Sequence, residues 1–146
     1  MLALSVDGAA THARYINNIN ETQNTTVNFP IIADEDKKVS DLYDMIHPNV
    51  NSTLTVCSVY IISPDKTVKL IITYPAFTGR NFHELLRVIY SLQLTANHKL
   101  ATPANSVQWN DVVVSPAMNT EDAKEIFVKR CKKTRPYLRI TPQPNI

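Results

Sequence analysis

The stretch VCSVYIISPDKTVKLIITY, residues 56–74, decides how the rest of the chain is read. Val56–Ile62 is apolar and rich in β-branched side chains, which fit a pleated surface. Ser63-Pro64-Asp65-Lys66 follows as a turn, with proline where its fixed φ is favoured. Val68, Leu70, Ile72 and Tyr74 then alternate onto one face, the period of a half-buried strand. The two runs and their turn form an antiparallel hairpin.

On the C-terminal side, Pro75–Gly79 breaks the second strand. Asn81 caps a helix, with Glu84 three residues later as in a capping box. Phe82, Leu85, Leu86, Ile89 and Leu92 make its apolar stripe, read as a core face rather than a groove. On the N-terminal side, Leu2–Val6 reads as a short strand and Ala9–Ile19 as a helix. Asn20–Asn28 is polar and loop-like, Phe29–Ala33 strand-like, and Val39–Met45 a two-turn helix. His47–Thr53 is a turn-rich loop. Strand, helix, strand, helix, hairpin, helix is an α/β order. From about Leu100 the composition shifts, with five of the nine prolines between Pro103 and Pro144. Val112–Val114 and a charged helix over Thr120–Lys129 are the only regular pieces expected there. The segment reads as an appendage that needs something else to pack on.

Composition bounds the function. The chain has 146 residues, 44% apolar and 19% charged, so it suits one globular domain. A net charge of +2 argues against nucleic-acid or membrane-surface partners. Gly8 and Gly79 are the only glycines, which excludes glycine-rich phosphate cradles. Cys57 and Cys131 are too few for a disulfide framework and lack C-x-x-C spacing. His12, His47, His83 and His98 show no metal spacing, so no metal or other cofactor is expected. No run approaches a membrane span, and Met1–Val6 reads as a strand rather than a signal peptide. A reducing, cytoplasmic setting is the default. Sequons at Asn20, Asn24 and Asn51 read as chance.

From Val56 to Leu94 the sequence closely resembles the 1-Cys peroxiredoxins of the peroxiredoxin 6 type, in the AhpC/TSA family. The residues are Ser-Val-Tyr-Ile-Ile-Ser-Pro-Asp-Lys (58–66), Tyr-Pro-Ala-Phe-Thr-Gly-Arg-Asn-Phe (74–82) and Leu-Leu-Arg-Val-Ile-Tyr-Ser-Leu-Gln-Leu-Thr (85–95). Leu2–Asp7, Phe29–Asp34, Met45–Asn49, Ala101–Asn105 and Tyr137–Pro144 fit as well, in order. The resemblance implies a thioredoxin-like (peroxiredoxin) fold, truncated on its N-terminal side, with a C-terminal extension. Residues 1–98 would be the partial thioredoxin-like domain and 99–146 the extension. It also implies a thiol peroxidase, an antioxidant that reduces hydrogen peroxide and organic hydroperoxides with an external thiol reductant, as a homodimer.

In that family the nucleophile lies in Pro-x-x-x-Thr-x-x-Cys at the start of a helix, where the helix terminus and nearby arginine lower its pKa. No such motif occurs in this chain. The resemblance places it upstream of Leu2–Val6, together with a strand between Leu2–Val6 and Val56–Ile62. Arg80 matches the family's supporting active-site arginine. Cys57 stands where the family has a second arginine, and its neutral side chain supplies neither charge nor guanidinium donors.

Cys57 is either a fortuitous nucleophile near Arg80 or a small buried side chain on a strand, the reading its residue type favours. Cys131 lies in Lys-Arg-Cys-Lys-Lys-Thr-Arg (129–135), where cations favour a thiolate and an oxidisable surface thiol. Asp65 matches the acidic member of a lipase-type Ser-His-Asp site that the resemblance also implies. The other two members would fall in the absent segment, so Asp65 is read as a turn residue.

The expectation is a peroxiredoxin-family antioxidant chain, inactive as it stands because its catalytic cysteine motif is absent. Its alternatives are a non-catalytic dimerisation partner of a full-length peroxiredoxin, or a gene fragment.

Overall fold

The computed structural model describes residues 1–46, 56–75, 77–127, 131–135 and 137–145. Their backbone contacts divide the chain into two compact units, Met1–Arg80 and Asn81–Ile146.

In the first unit, β1 (Ala3–Ser5) and β2 (Ile31–Ala33) pair in parallel, Ala3 opposite Ile31. A parallel pair needs a crossover, and α1 (Ala9–Gln23) supplies it. The helix runs further than the polarity of residues 20–28 suggested. Its polar last turn is simply its solvent face. Asn24 closes it in the left-handed region at φ 47°, which asparagine tolerates. The Asn20 side chain accepts from the Val27 amide at 2.8 Å, fixing the chain's exit.

The second helix, α2 (Lys38–Leu42), is shorter than expected. Asp34 sets its first turn by accepting from the amides of Val39 (3.0 Å) and Ser40 (2.7 Å) and from the Ser40 hydroxyl (2.6 Å). Burial raises the Asp34 pKa. Those hydrogen bonds and the Lys38 charge outweigh it and hold the carboxyl below its ordinary value. The expected loop at His47–Thr53 lies outside the described residues.

The hairpin of β3 (Cys57–Ile62) and β4 (Val68–Tyr74) forms as expected, with Cys57 opposite Tyr74 and a register shift at Ile61/Ile62. Tyr60 ties β3 to the end of α2. Its hydroxyl donates to the Tyr43 carbonyl, and the two rings meet edge to face at 5.2 Å.

In the second unit, α3 (Phe82–Asn97) begins at Asn81, whose side chain accepts from the Glu84 amide at 3.2 Å. The capping box is only half made, because the Glu84 carboxylate turns to Arg87 instead. The expected core stripe is also corrected. Phe82, Leu86 and Ile89 are exposed and Leu85 and Leu92 half-buried, while the buried Leu94 lies on another side of the helix.

The larger correction concerns the C-terminal segment. It contains β5 (Leu100–Ala101), β6 (Val112–Val114), α4 (Thr120–Ile126), β7 (Lys132–Arg135) and β8 (Leu138–Thr141). The four strands form an antiparallel sheet in the order β5-β6-β8-β7. The described part of the charged helix ends at Ile126. It is capped by Asn119, which accepts from the Asp122 amide at 2.7 Å. Every buried apolar side chain among the described residues belongs to this unit: Leu94, Leu100, Val112, Val114, Met118, Ala123 and Phe127. The segment therefore carries its own core, with α3 and α4 contributing to it. Arg139 shares the buried face. It donates from Nη2 to the Ser115 carbonyl at 2.9 Å and leaves its Nε without a partner.

Candidate functional site

The hairpin positions the residues that sequence reasoning singled out in the first unit. Cys57 is the first residue of β3, half-buried and a free thiol. Its cross-strand neighbour Tyr74 ends β4, and the chain then runs through a turn closed by Thr78 N to Pro75 O at 2.9 Å. Arg80 follows that turn, exposed, with no hydrogen bond or ion pair among the described residues. Its guanidinium therefore keeps its donors for a partner from outside these residues.

Asp65 sits in the hairpin turn. It accepts from the hydroxyls of Ser63 and Thr67, the Thr67 amide at 3.0 Å and Lys69 Nζ at 3.3 Å. These contacts, the Ser63 hydroxyl first, hold its pKa far below the usual carboxylate range. Its partners lie in the turn and at Lys69 near the start of β4, so its visible work is to shape that turn. Lys66, at φ 64°, completes it in the left-handed region.

Cys131 lies in the second unit. It is partly buried against the hydrophobic core, next to the exposed β7 cations Lys132, Lys133 and Arg135. Lys129 and Arg130, the other cations of that run, lie outside the described residues, as does His47. Of the other histidines, His12 is buried on α1 with its Nε2 unpartnered. Among the described residues, no three His, Cys, Asp or Glu side chains gather as they would around a metal. No helix there is long and apolar enough to cross a membrane.

The AhpC/TSA family model matches residues 1–71. The chain is 52% identical over 145 residues to a 1-Cys peroxiredoxin of Dictyostelium discoideum, covering 99% of this chain and 60% of that relative. It is 40% identical over 157 residues to Peroxiredoxin-6 of Mus musculus, covering 99% of this chain and 70% of the mouse protein. The chain belongs to the peroxiredoxins.

Solved peroxiredoxin structures agree. A cysteine-to-serine mutant of Peroxiredoxin 6 from Arenicola marina superposes with a TM-score of 0.89 at 40% identity, covering 99% of this chain and 70% of that one. A yeast mitochondrial 1-Cys peroxiredoxin gives 0.87 at 39% identity, covering 97% and 69%. The fold is thus the thioredoxin-like fold of peroxiredoxins. The chain spans about 60–70% of the length of the relatives it matches.

Proposed function

We propose that the protein serves thiol-dependent reduction of hydrogen peroxide and organic hydroperoxides, and that these 146 residues supply the supporting part of that site rather than its nucleophile. One observation carries the reading. Arg80 stands exposed and, among the described residues, unpaired in Thr78-Gly79-Arg80-Asn81, in a chain that aligns over 99% of its length with a 1-Cys peroxiredoxin. In the reaction a thiolate attacks one peroxide oxygen and the O–O bond breaks. The sulfur becomes a sulfenic acid, and the other oxygen leaves as water or an alcohol once protonated. Negative charge develops on that leaving oxygen, and a guanidinium donor held nearby stabilises it. Arg80 has the chemistry for this role.

Cys57 does not replace the nucleophile on this reading. It is half-buried at the start of a strand, not in the Pro-x-x-x-Thr-x-x-Cys helix start that the family's nucleophile occupies. Nor can it supply the charge of the arginine that the resemblance places there. The reductant is a thiol of the glutathione or thioredoxin class, the systems named for the yeast relative. The setting is the cytoplasm.

The test is peroxide consumption by the purified 146-residue polypeptide with a thiol reductant, followed by intact mass and peptide mapping. The reading predicts only the slow background of a free thiol, with no rapid oxygen addition at Cys57 or Cys131. A rate comparable to that of the Dictyostelium relative would overturn it.

A second reading rests on the hairpin, whose Ile62, Val68 and Ile71 side chains are exposed. Such a surface suits a partner. On this reading the chain is a non-catalytic partner that dimerises with a full-length peroxiredoxin. Co-purification with such a relative would support it, and a strict monomer in that relative's presence would refute it.

A further inference from the structure

The Asn81–Ile146 unit contains a cleft of about 440 Å³ between α3 and residues 102–108. Its size falls in the range of small-molecule sites, roughly 300–1,000 Å³. The fully buried Leu94 and Val112 contribute to its lining, beside the partly open Leu86, Tyr90 and Val107. Trp109 is tied to the lining by its backbone amide, which donates to Gln143, and Leu86, Val107 and Trp109 are 55%, 63% and 64% exposed. Large apolar side chains clustered this openly around a concavity mark a binding surface more than a solvated one.

The polar lining narrows the ligand class. Its one carboxylate, Glu84, is spent on Arg87, with Nε to Oε2 at 2.6 Å and Nη2 to Oε1 at 2.7 Å. Arg87 Nη1 is directed to the Ser106 hydroxyl at 3.4 Å. The two charges cancel, so an anion or a cation entering the cleft would lose water without gaining a free counter-ion. Of the rest of the polar lining, Ser91 and Thr102 pair their hydroxyls at 2.6 Å, Asn81 is used as the α3 cap, and His83 and three carboxamides remain. Asn105 and Gln108 have no hydrogen-bond partner among the described residues. Gln143 gives its oxygen to the Trp109 amide at 2.9 Å and keeps its NH₂ as a donor. A carboxamide offers both a donor and an acceptor, so another carboxamide is its natural complement.

We propose that this cleft binds an uncharged aromatic carboxamide. Its ring lies against Leu86, Tyr90 and Val107 over the Leu94–Val112 floor, and its amide pairs with the side-chain amides of Asn105, Gln108 or Gln143.

Benzamide, benzoate and benzylammonium are probes of one shape and three charges. Each is titrated into the isotope-labelled 146-residue polypeptide and followed by amide chemical shifts. Benzamide should give saturable shifts confined to residues 81–94, 102–109, 112 and 143, at the roughly millimolar affinity such a small ligand reaches. The two charged probes should bind at least about ten-fold more weakly. Tyr90→Ala and Gln143→Ala, both away from the buried core, should each weaken benzamide about three- to ten-fold while leaving the remaining spectrum in place. Saturable shifts elsewhere, no saturation at tens of millimolar, or equal binding of either charged probe would overturn the proposal. So would unchanged benzamide affinity in both variants.

Discussion

The two halves of the chain divide their assets unequally. Asn81–Ile146 holds every buried apolar side chain among the described residues. In Met1–Arg80 the buried side chains are polar: His12, Asp34 and Ser40. The first half carries Arg80, on which the proposed function rests, together with Cys57. It builds them on two separate two-stranded ladders, and a two-stranded sheet alone is marginal in water. The second half carries a four-stranded sheet with helices contributing to its core. The residues tied to chemistry and the residues that hold structure therefore sit in different units. Stability measured on the whole chain reports chiefly on the second.

The largest expected effect tests that division at its strong end. Phe127→Ala or Leu94→Ala should cost about 3–5 and 2–5 kcal/mol respectively, through lost transfer energy and the cavity left behind. Denaturant melts of the second unit's signals check this. A cost below about 1 kcal/mol would show that the core lies elsewhere.

The next effect concerns the first unit and its polar anchor. Asp34 has a folded-state pKa below its unfolded one, so it stabilises above the ordinary carboxylate value, about 3.9. That contribution falls away as pH drops below this value through the lowered folded pKa. Acid titration should loosen β2 and α2 before the sheet of the second unit, as read by residue-resolved amide signals. Asp34→Ala should remove this difference. Simultaneous loss of both units in the parent chain would break the comparison.

Smaller still is Asn81→Ala, which removes the α3 cap and should cost about 1 kcal/mol in a thermal or denaturant melt. Smallest is Ile71→Ala on the exposed face of β4, expected within about 0.5 kcal/mol in the isolated polypeptide. A larger cost there would mean that the hairpin face is packed in solution, which would sharpen the case for a partner on it.

How far the sequence could be read follows the same division. The hairpin was legible because Val68, Leu70, Ile72 and Tyr74 recur at every second position and Pro64 marks its turn. The α3 cap was legible because Asn81 has the right chemistry at the right distance from Glu84. The C-terminal sheet was not. Its β5 strand has two residues, and β7 is a run of cations and threonine with no alternation. Both gain strand geometry only from pairing with β6 and β8, a tertiary effect that local propensity does not record. The apolar stripe of α3 was visible, but periodicity alone does not say whether a stripe is covered. The structure leaves Phe82, Leu86 and Ile89 open. Of the site, Arg80 and Cys57 were legible through the family resemblance. The carboxamide cleft was not, because its walls meet only once β6 and the 102–108 segment fold against α3.

Native-state hydrogen exchange on the intact 146-residue polypeptide tests the division most directly. Strong, shared protection is predicted for α3, β6 and β8, with exchange from β1–β4 faster by orders of magnitude. Uniform protection across both units would contradict the account, because it would place Cys57 and Arg80 on a scaffold as stable as the core.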